Sequence, residues 1–359
     1  MSIVGGMDVH RKQLTFDYVD RATGELQRGQ IAPADRRRLA VWLRRFDGMS
    51  NVEFAVEGCT GWRYVVEELR QAGVTAHLAE PADTAAARGP KKRAKTDRAD
   101  SKLLRELLDG DRIPECWIPP AQILECRALL GLYHDLRREH TGWIQRVHAV
   151  LFHQGAEALG NNGVNTDEGR ARLRLVAAEQ LSPAGQLQIT TAVAMLDVLE
   201  VHLDELRQQL RHAARHLRGA KTLIEAIYGV GPITALALCC WLAGTNRFSS
   251  SRKAVRFAGL DVTVHSSDGK RSPGRLSRQG PAILRWCLYE AGKTSARANA
   301  PNHRYYAQVR QRIDGKRAAL SEARKITRRA VHLLAQLGDD AFDWAEAPTS
   351  LRPRVARAA

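Results

Sequence analysis

Short apolar runs separated by polar turns dominate the first 110 residues. Four such runs predict strands: residues 2–10, 13–20, 51–58 and 74–81. The polar turn between the first two runs predicts a hairpin. Helical spacing of apolar residues occurs at residues 61–72, and again in a leucine-rich stretch that follows a suitable N-cap at Thr96 and stops at Gly110. The order of these elements predicts an α/β fold, a mixed sheet covered by helices.

From about residue 121 to 218 the pattern is helical throughout. One stripe has alternating spacings of three and four over four heptads: Ile189, Ala192, Leu196, Leu199, Leu203, Leu206, Leu210, Ala213 and Leu217. Such a narrow stripe with polar flanks is typical of a coiled coil that joins subunits. The alternative is a long helix that packs within a bundle of the same chain.

The rest of the chain is predicted to be mainly helical, with a glycine turn near its start. Gly229 and Gly231 precede Pro232, which favours a helix start whose free N–H groups suit a phosphate. We therefore expect four segments along the chain, the last a frayed tail: residues 1–115, 116–220, 221–345 and 346–359.

The net charge is informative about binding partners rather than about the fold. The 359 residues carry a formal net charge of +16, which favours a polyanion such as nucleic acid, with an anionic membrane surface as the other candidate. No 18-residue apolar run and no signal segment is present, so we expect a cytoplasmic protein without a membrane anchor. The six cysteines form no CxxC pair, which predicts reduced and mostly buried thiols.

Four acids stand where carboxylates need an explanation. Asp8 and Glu57 end apolar strands, and Asp97 and Asp100 lie three apart on one face of a helix's first turn. Hard carboxylate oxygens suit Mg²⁺, and four of them predict a site for two such ions. Each acid taken singly is equally a helix cap or a salt-bridge partner. His10 is a further candidate for the metal shell, or an incidental exposed histidine.

Three stretches that contain these acids, residues 7–20, 52–62 and 91–111, resemble the DEDD-type insertion-sequence transposases. Residues 224–292 resemble the C-terminal transposase domain of the same family, so the likeness covers nearly the whole chain in the same order. It implies a RuvC-like, RNase H-fold domain at the N-terminus, with Asp8, Glu57, Asp97 and Asp100 as its metal ligands. It also implies an enzyme that cuts and exchanges the DNA strands of an insertion sequence in the bacterial cytoplasm, associated with the nucleoid when it acts.

The family's second domain carries a catalytic serine, and the resemblance implies that Ser267 forms a phosphoserine with DNA. The family usually has a Ser-Gly pair here, whereas this chain has Ser266-Ser267-Asp268-Gly269. Ser266 therefore remains an alternative. Without the resemblance the segment is typical of a polar turn.

Basic residues are the expected contacts to nucleic acid. Residues 252–285 hold eight Lys and Arg against two acids, and residues 304–329 hold nine against two, which is typical of surfaces that contact phosphate rather than bases. The predicted contacts are Lys91, Lys92, Arg93, Lys95, Gly229, Gly231, Arg252, Lys253, Lys270, Arg271, Arg275, Arg278 and Arg285. The resemblance further implies a structured guide RNA, and a homo-oligomer in which the metal domain of one subunit works with the serine domain of another.

Two other functions remain open at this stage. One keeps the fold but uses metal-activated water, as a junction-cutting nuclease does, and needs no serine. The other is a basic protein that binds nucleic acid without catalysis, its four acids forming structural salt bridges.

Overall fold

A computed structural model describes residues 2–88, 96–160, 163–244, 247–263, 265–267, 270–272 and 274–344, with backbone alone for residues 265–267 and 270–272. The described chain divides into two compact units, Met1–Ile118 and Pro119–Ala359. The four-segment division stays a prediction. The basic residues Lys91, Lys92, Arg93 and Lys95 and the tail from residue 346 lie outside the described residues.

The first unit is built on one mixed sheet of five strands. They are β1 (Ile3–Val9), β2 (Leu14–Asp20), β3 (Leu26–Ile31), β4 (Val52–Glu57) and β5 (Thr75–Ala79). The order across the sheet is β3-β2-β1-β4-β5, with antiparallel pairing from β1 to β3 and parallel pairing from β1 through β4 to β5. The predicted hairpin is confirmed, because Val9 pairs with Leu14 across the turn.

The described residues of this unit form four α-helices: α1 (Arg36–Leu43), α2 (Trp62–Gln71), α3 (Pro81–Ala87) and α4 (Asp97–Asp109). The predicted bounds of α4 are confirmed. The Thr96 hydroxyl accepts a hydrogen bond from the Ala99 N–H at 3.2 Å, and Gly110 is the C-cap. On the face of the sheet opposite to α4, the buried core centres on four aromatic side chains: Phe16, Trp42, Phe46 and Phe54.

Three elements of this unit were not predicted: β3, α1 and α3. The strand β3 is an edge strand whose residues are mostly exposed, so it has no apolar alternation to detect. The helix α1 opens with three arginines, and only its buried residues Leu39, Trp42 and Leu43 face the core. The apolar pattern predicts a strand that ends at Pro81, but Pro81 is the first residue of α3.

Two very long helices and one shorter helix begin the second unit: α5 (Ala121–His153), α6 (Asp167–Gln180) and α7 (Pro183–His216). The whole heptad stripe is buried along α7, which packs along α5 of the same chain. Positions in the N-terminal part of the stripe, including Ile189 and Leu196, share a core with Val147 and Leu151 of α5. In this structure the stripe therefore packs against another helix of the same chain, which is the alternative to a coiled coil between subunits.

In the described remainder of the second unit, the regular elements are helices and one two-stranded hairpin. The helices are α8 (Arg218–Ala226), α9 (Pro232–Leu242), α10 (Ser251–Phe257), α11 (Ala282–Lys293), α12 (His303–Arg312) and α13 (Gly315–Leu337), and the strands are β6 (His265–Ser267) and β7 (Lys270–Ser272). Helix α9 is buried from Ala235 to Leu242 and forms the centre of this region. All six cysteines are free and four of them are buried, as predicted. No helix in the described part of the chain is long and apolar enough to cross a bilayer.

Candidate metal centre

Two of the four acids lie side by side at one edge of the sheet. Strands β1 and β4 run parallel, with Met7 opposite Val56. One residue further along each strand come Asp8 and Glu57, so their side chains emerge on the same face of the sheet. Asp8 is 5% exposed and Glu57 is half-buried.

The other two acids come from the first turn of α4, which lies against that face. Helix α4 approaches β1 very closely at Gly6, where a Cβ atom would lie 2.1 Å from the carbonyl oxygen of Ser101. Side chains two apart on a strand share a face, so Asp8 points to the same side as Gly6. This close approach brings Asp97 and Asp100 into the electrostatic field of Asp8.

The turn between β1 and β2 adds a histidine to the cluster. The Nε2 atom of His10 lies 3.1 Å from Asp8 Oδ2 and 3.2 Å from Asp97 Oδ1. Ligand atoms of these three residues lie within 4.8 Å of one another, a spacing that one cation can bridge. The amide of Gln13 donates to Asp97 Oδ2 at 3.2 Å and orients that carboxylate.

Asp8 is strongly perturbed by its surroundings. The pKa of Asp8 is raised from 3.8 to about 6. Burial is the largest cause; His10 lowers the pKa, while Asp100, Asp97 and Glu57 raise it. The dominant cause is therefore the loss of water, and the neighbouring carboxylates add to it. All three other predicted ligands act on Asp8, so the four acids form one electrostatic cluster.

The donor set fits a divalent cation. Asp8 Oδ2 is buried and forms no hydrogen bond with any described group, although His10 Nε2 is near. An orphaned buried carboxylate oxygen is costly, and a cation would satisfy it. Asp100 differs, because its Oδ1 atom lies 2.5 Å from Arg88 Nη2, which neutralises part of its charge.

A second buried carboxylate supports the position of α4. Asp17 of β2 is 2% exposed and accepts hydrogen bonds from Arg105 of α4 and, at 2.6 Å, from the half-exposed Arg28 of β3. This pairing fastens α4 to the sheet beside the acids. Neither Arg105 nor Arg88 had a recognisable signal, because a long basic side chain in sequence does not show which acid it will reach.

The predicted serine lies in the second unit, on the hairpin of β6 and β7. The backbone register pairs Ser267 with Lys270 and Ser266 with Arg271, so Ser267 is at the tip of the hairpin. The stem is well held: the Thr263 N–H donates to the Arg275 carbonyl at 2.9 Å, and the Ser277 N–H donates to the Asp261 carbonyl at 3.0 Å.

The predicted contacts to nucleic acid are spread over several elements. Gly231 is the exposed N-cap of α9, and Gly229 has a φ of 81°. The remaining predicted cations whose side chains are described are exposed or half-buried in α10, in the stretch after β7, and in α11: Arg252, Lys253, Arg275, Arg278 and Arg285. Lys270 and Arg271 belong to β7.

Comparison with known proteins assigns the chain to a family. A transposase model of the DEDD, IS110 type matches residues 5–153, and a model described as the transposase IS116/IS110/IS902 family matches residues 221–308. A protein of Pseudomonas aeruginosa described as a probable family 20 transposase is 24% identical over 306 residues, which cover 82% of this chain and 84% of that protein.

The chain belongs to the IS110 family of transposases. Membership makes it an enzyme of DNA transposition that cuts and rejoins DNA, and the DEDD type points to the use of divalent metal. The carboxylate cluster in the first unit lies within the DEDD match, and the β6–β7 hairpin lies within the second match.

Proposed function

We propose that the chain exchanges the DNA strands of an insertion sequence with a magnesium-binding carboxylate cluster and a serine nucleophile. The observation that carries the proposal is the buried Oδ2 atom of Asp8, which has no hydrogen bond and lies in the field of three further carboxylates, with His10 as its nearest basic neighbour. Burial disfavours the charged form of this carboxylate, and a bound cation would offset that cost. A transposase has a use for such a cation in phosphoryl transfer.

The first unit would be an RNase H-like domain of the RuvC type. Support comes from the strand order β3-β2-β1-β4-β5 with β2 antiparallel to its neighbours, which is the arrangement expected of that fold. In such a sheet β1 is central, and a carboxylate on it can be approached from the neighbouring strand β4 and from α4.

Asp8, Glu57, Asp97 and Asp100 would hold two Mg²⁺ ions, with His10 beside Asp8 and Asp97. Bound Mg²⁺ polarises a phosphate and lowers the pKa of a hydroxyl that is about to attack it. Carboxylate oxygens are the ligands that this ion prefers. Arg88 would keep Asp100 oriented, since it already holds one oxygen of that carboxylate.

Ser267 would be the nucleophile, with Ser266 as the alternative. Its hydroxyl oxygen forms a bond to a DNA phosphorus while the bond from phosphorus to one sugar oxygen breaks. The serine loses a proton and the released sugar hydroxyl gains one. A second sugar hydroxyl then displaces the serine oxygen and rejoins the strands. Support comes from the position of Ser267 at the tip of a hairpin in the transposase-family match.

A structured guide RNA and a homo-oligomer complete the proposal. A guide that pairs with DNA leaves the protein to bind backbones, which suits the net charge of +16. An oligomer is supported by apolar residues on the outer face of α7, away from the buried stripe: Leu187, Val198 and Val201 are 68%, 53% and 59% exposed. Exposed apolar side chains at helical spacing suit contact with another helix.

A denaturing protein gel with labelled donor-end DNA, the flanking RNA and Mg²⁺ tests the function. We expect label to migrate with the wild-type protein, and to be absent with Ser267→Ala and with Asp100→Asn. Ser266→Ala in the same strand distinguishes the two candidate serines, because label should be lost only in the variant that lacks the nucleophile. The matched control for Asp100→Asn is Asp109→Asn at the other end of α4, where the acid pairs with Arg21. Free nicked DNA from wild type and Ser267→Ala alike would instead identify a nuclease that uses water.

A further inference from the structure

A groove of about 670 Å³ lies at the base of the β6–β7 hairpin. One wall is the stretch that follows β7, residues 274–278, and the other walls are the end of α12 and the first turns of α13. The acidic cluster of the first unit contributes nothing to it. The groove is therefore a separate feature of the second unit.

Five arginines line this groove: Arg275, Arg278, Arg312, Arg317 and Arg324. Among described residues, the only acid paired with one of them is Asp314, whose Oδ2 atom lies 3.8 Å from Arg317 Nε. Arg275, Arg278 and Arg312 form no ion pair with any described acid and are exposed. Such a concentration of uncompensated guanidinium groups in a concave surface attracts anions.

Arg324 has a different role from the others. Its Nε–H donates to the Leu260 carbonyl at 2.7 Å and so joins α13 to the strand-like stretch that enters the hairpin. Burial, and then the neighbouring Arg328, lowers the pKa of Arg324. An anion close by would relieve this crowding of positive charge.

Apolar side chains lie between the arginines. Val262 and Ile313 are 45% and 44% exposed, and the other apolar side chains of the lining are Leu276, Val309 and Leu320. A free phosphate ion has no apolar surface that could pack against these side chains. A nucleic-acid strand does, because apolar sugar faces alternate with its phosphates.

The groove is also fixed relative to the hairpin stem. Val262 and Leu276 both line it, and they form a β-bridge with each other across the stem. Arg275 accepts and donates hydrogen bonds with Thr263 on the other side of the same stem. A strand lying in the groove therefore passes the base of the hairpin whose tip carries Ser267.

We propose that this groove binds the sugar-phosphate backbone of the DNA strand next to the phosphate that Ser267 attacks, with Arg275, Arg312 and Arg317 as its phosphate contacts. The proposal rests on the proposed function of the Ser267 hairpin. DNA is the expected occupant rather than guide RNA. The phosphate that Ser267 attacks belongs to DNA, and a strand in the groove at the hairpin stem would continue to that phosphate.

The test is the salt dependence of DNA binding by the full chain without divalent metal, measured by fluorescence anisotropy on donor-end DNA. The variant carries Arg275→Gln, Arg312→Gln and Arg317→Gln. A control with the same loss of charge carries Arg174→Gln, Arg211→Gln and Arg215→Gln on α6 and α7, none of which lines the groove. Arg324 is left in place because it holds the stem.

The groove variant should lower the slope of log affinity against log salt by about three, one for each lost phosphate contact. The control should change it by less than about one. Equal slopes for the two variants would overturn the proposal. A reduced slope with the flanking RNA alone, and none with DNA, would assign the groove to RNA and also overturn it.

A second measurement locates the strand. Donor DNA with uncharged methylphosphonates at three positions next to the cleavage site should lower the slope of the wild-type protein but not that of the groove variant. If the modified DNA lowers the slopes of the wild type and the groove variant equally, the groove contacts another part of the DNA and the proposal fails. These assays need no cleavage, so failure of the serine mechanism, seen as adduct formation by Ser267→Ala, is recognised separately.

Discussion

Gly6 of β1 lies against the backbone of Ser101 in α4, so closely that a Cβ atom on Gly6 would be 2.1 Å from the Ser101 carbonyl oxygen. This contact sets the distance between the strand that carries Asp8 and the helix that carries Asp100. We expect Gly6→Ala to push α4 away from the sheet and to weaken Mg²⁺ binding by about tenfold or more, although it changes none of the four carboxylates. Overpacking of this kind costs about 1–3 kcal/mol of unfolding free energy. Calorimetric titration with Mg²⁺ and urea unfolding measure the two effects.

The control for this substitution is Gly131→Ala in α5, where an added Cβ meets nothing within 4 Å. That variant should keep its metal affinity and should be more stable by about 0.5–1 kcal/mol, because alanine is the better helix former. Unchanged Mg²⁺ affinity in Gly6→Ala would mean that the spacing of β1 and α4 does not determine the site.

The raised pKa of Asp8 makes stability depend on pH in a definite direction. Its pKa is about 6 in the folded protein and about 3.8 in the unfolded chain, so the folded state binds the proton more tightly. The free energy of unfolding therefore falls as pH rises from about 4 to 6, by on the order of 3 kcal/mol in total. We expect metal-free Asp8→Asn to be more stable than wild type above pH 6, with the difference vanishing near pH 4. Thermal unfolding at several pH values measures it.

Mg²⁺ provides the control for that experiment. It should raise the melting temperature of the wild type at pH 7 and leave that of Asp8→Asn unchanged, since binding to the folded state alone stabilises it. An Asp8→Asn protein that is less stable than wild type at pH 7 without metal would contradict a net cost of burying the Asp8 charge beside His10.

Sequence patterns are informative where an apolar run or a helix cap marks the bounds of an element. The positions of Asp8, one residue before the end of β1, and of Glu57, the last residue of β4, follow from apolar runs, and the cap at Thr96 follows from N-cap chemistry. These three features locate the cluster. Residues that act across the fold were not detectable in this way. The pairing of Arg88 with Asp100 depends on how α3 and α4 pack, and no local pattern encodes that contact.

The heptad stripe illustrates a different limit. Its spacing correctly predicted one long buried face on α7, but spacing does not say which helix covers that face. Helix α5 is only partly apolar by sequence, and its role as the partner of α7 appears only in the fold. Burial can thus be predicted from a periodic stripe, whereas the identity of the partner cannot.

Arg105 is expected to be more important for stability than its neighbour Arg28, although both pair with Asp17. Arg105 is buried, while the Arg28 side chain is 51% exposed. Arg105→Ala leaves the Asp17 carboxylate, 2% exposed, with one buried partner fewer, which should cost about 1–3 kcal/mol of unfolding free energy. Arg28→Ala should cost less than about 1 kcal/mol, since water replaces an exposed partner. Equal costs in urea unfolding would show that Arg105 does not fasten α4.

Leu203 and Val201, two residues apart on α7, distinguish packing within the chain from packing between chains. Leu203 is 1% exposed on the buried stripe and Val201 is 59% exposed on the outer face. We expect Leu203→Ala to lower the unfolding free energy by about 2–5 kcal/mol without changing the subunit number. Val201→Ala should change stability by less than about 0.5 kcal/mol. Urea unfolding and light scattering measure both properties. If Leu203→Ala instead separated subunits and left the unfolding free energy of each unchanged, the stripe would be a seam between chains and α5 would not be its partner.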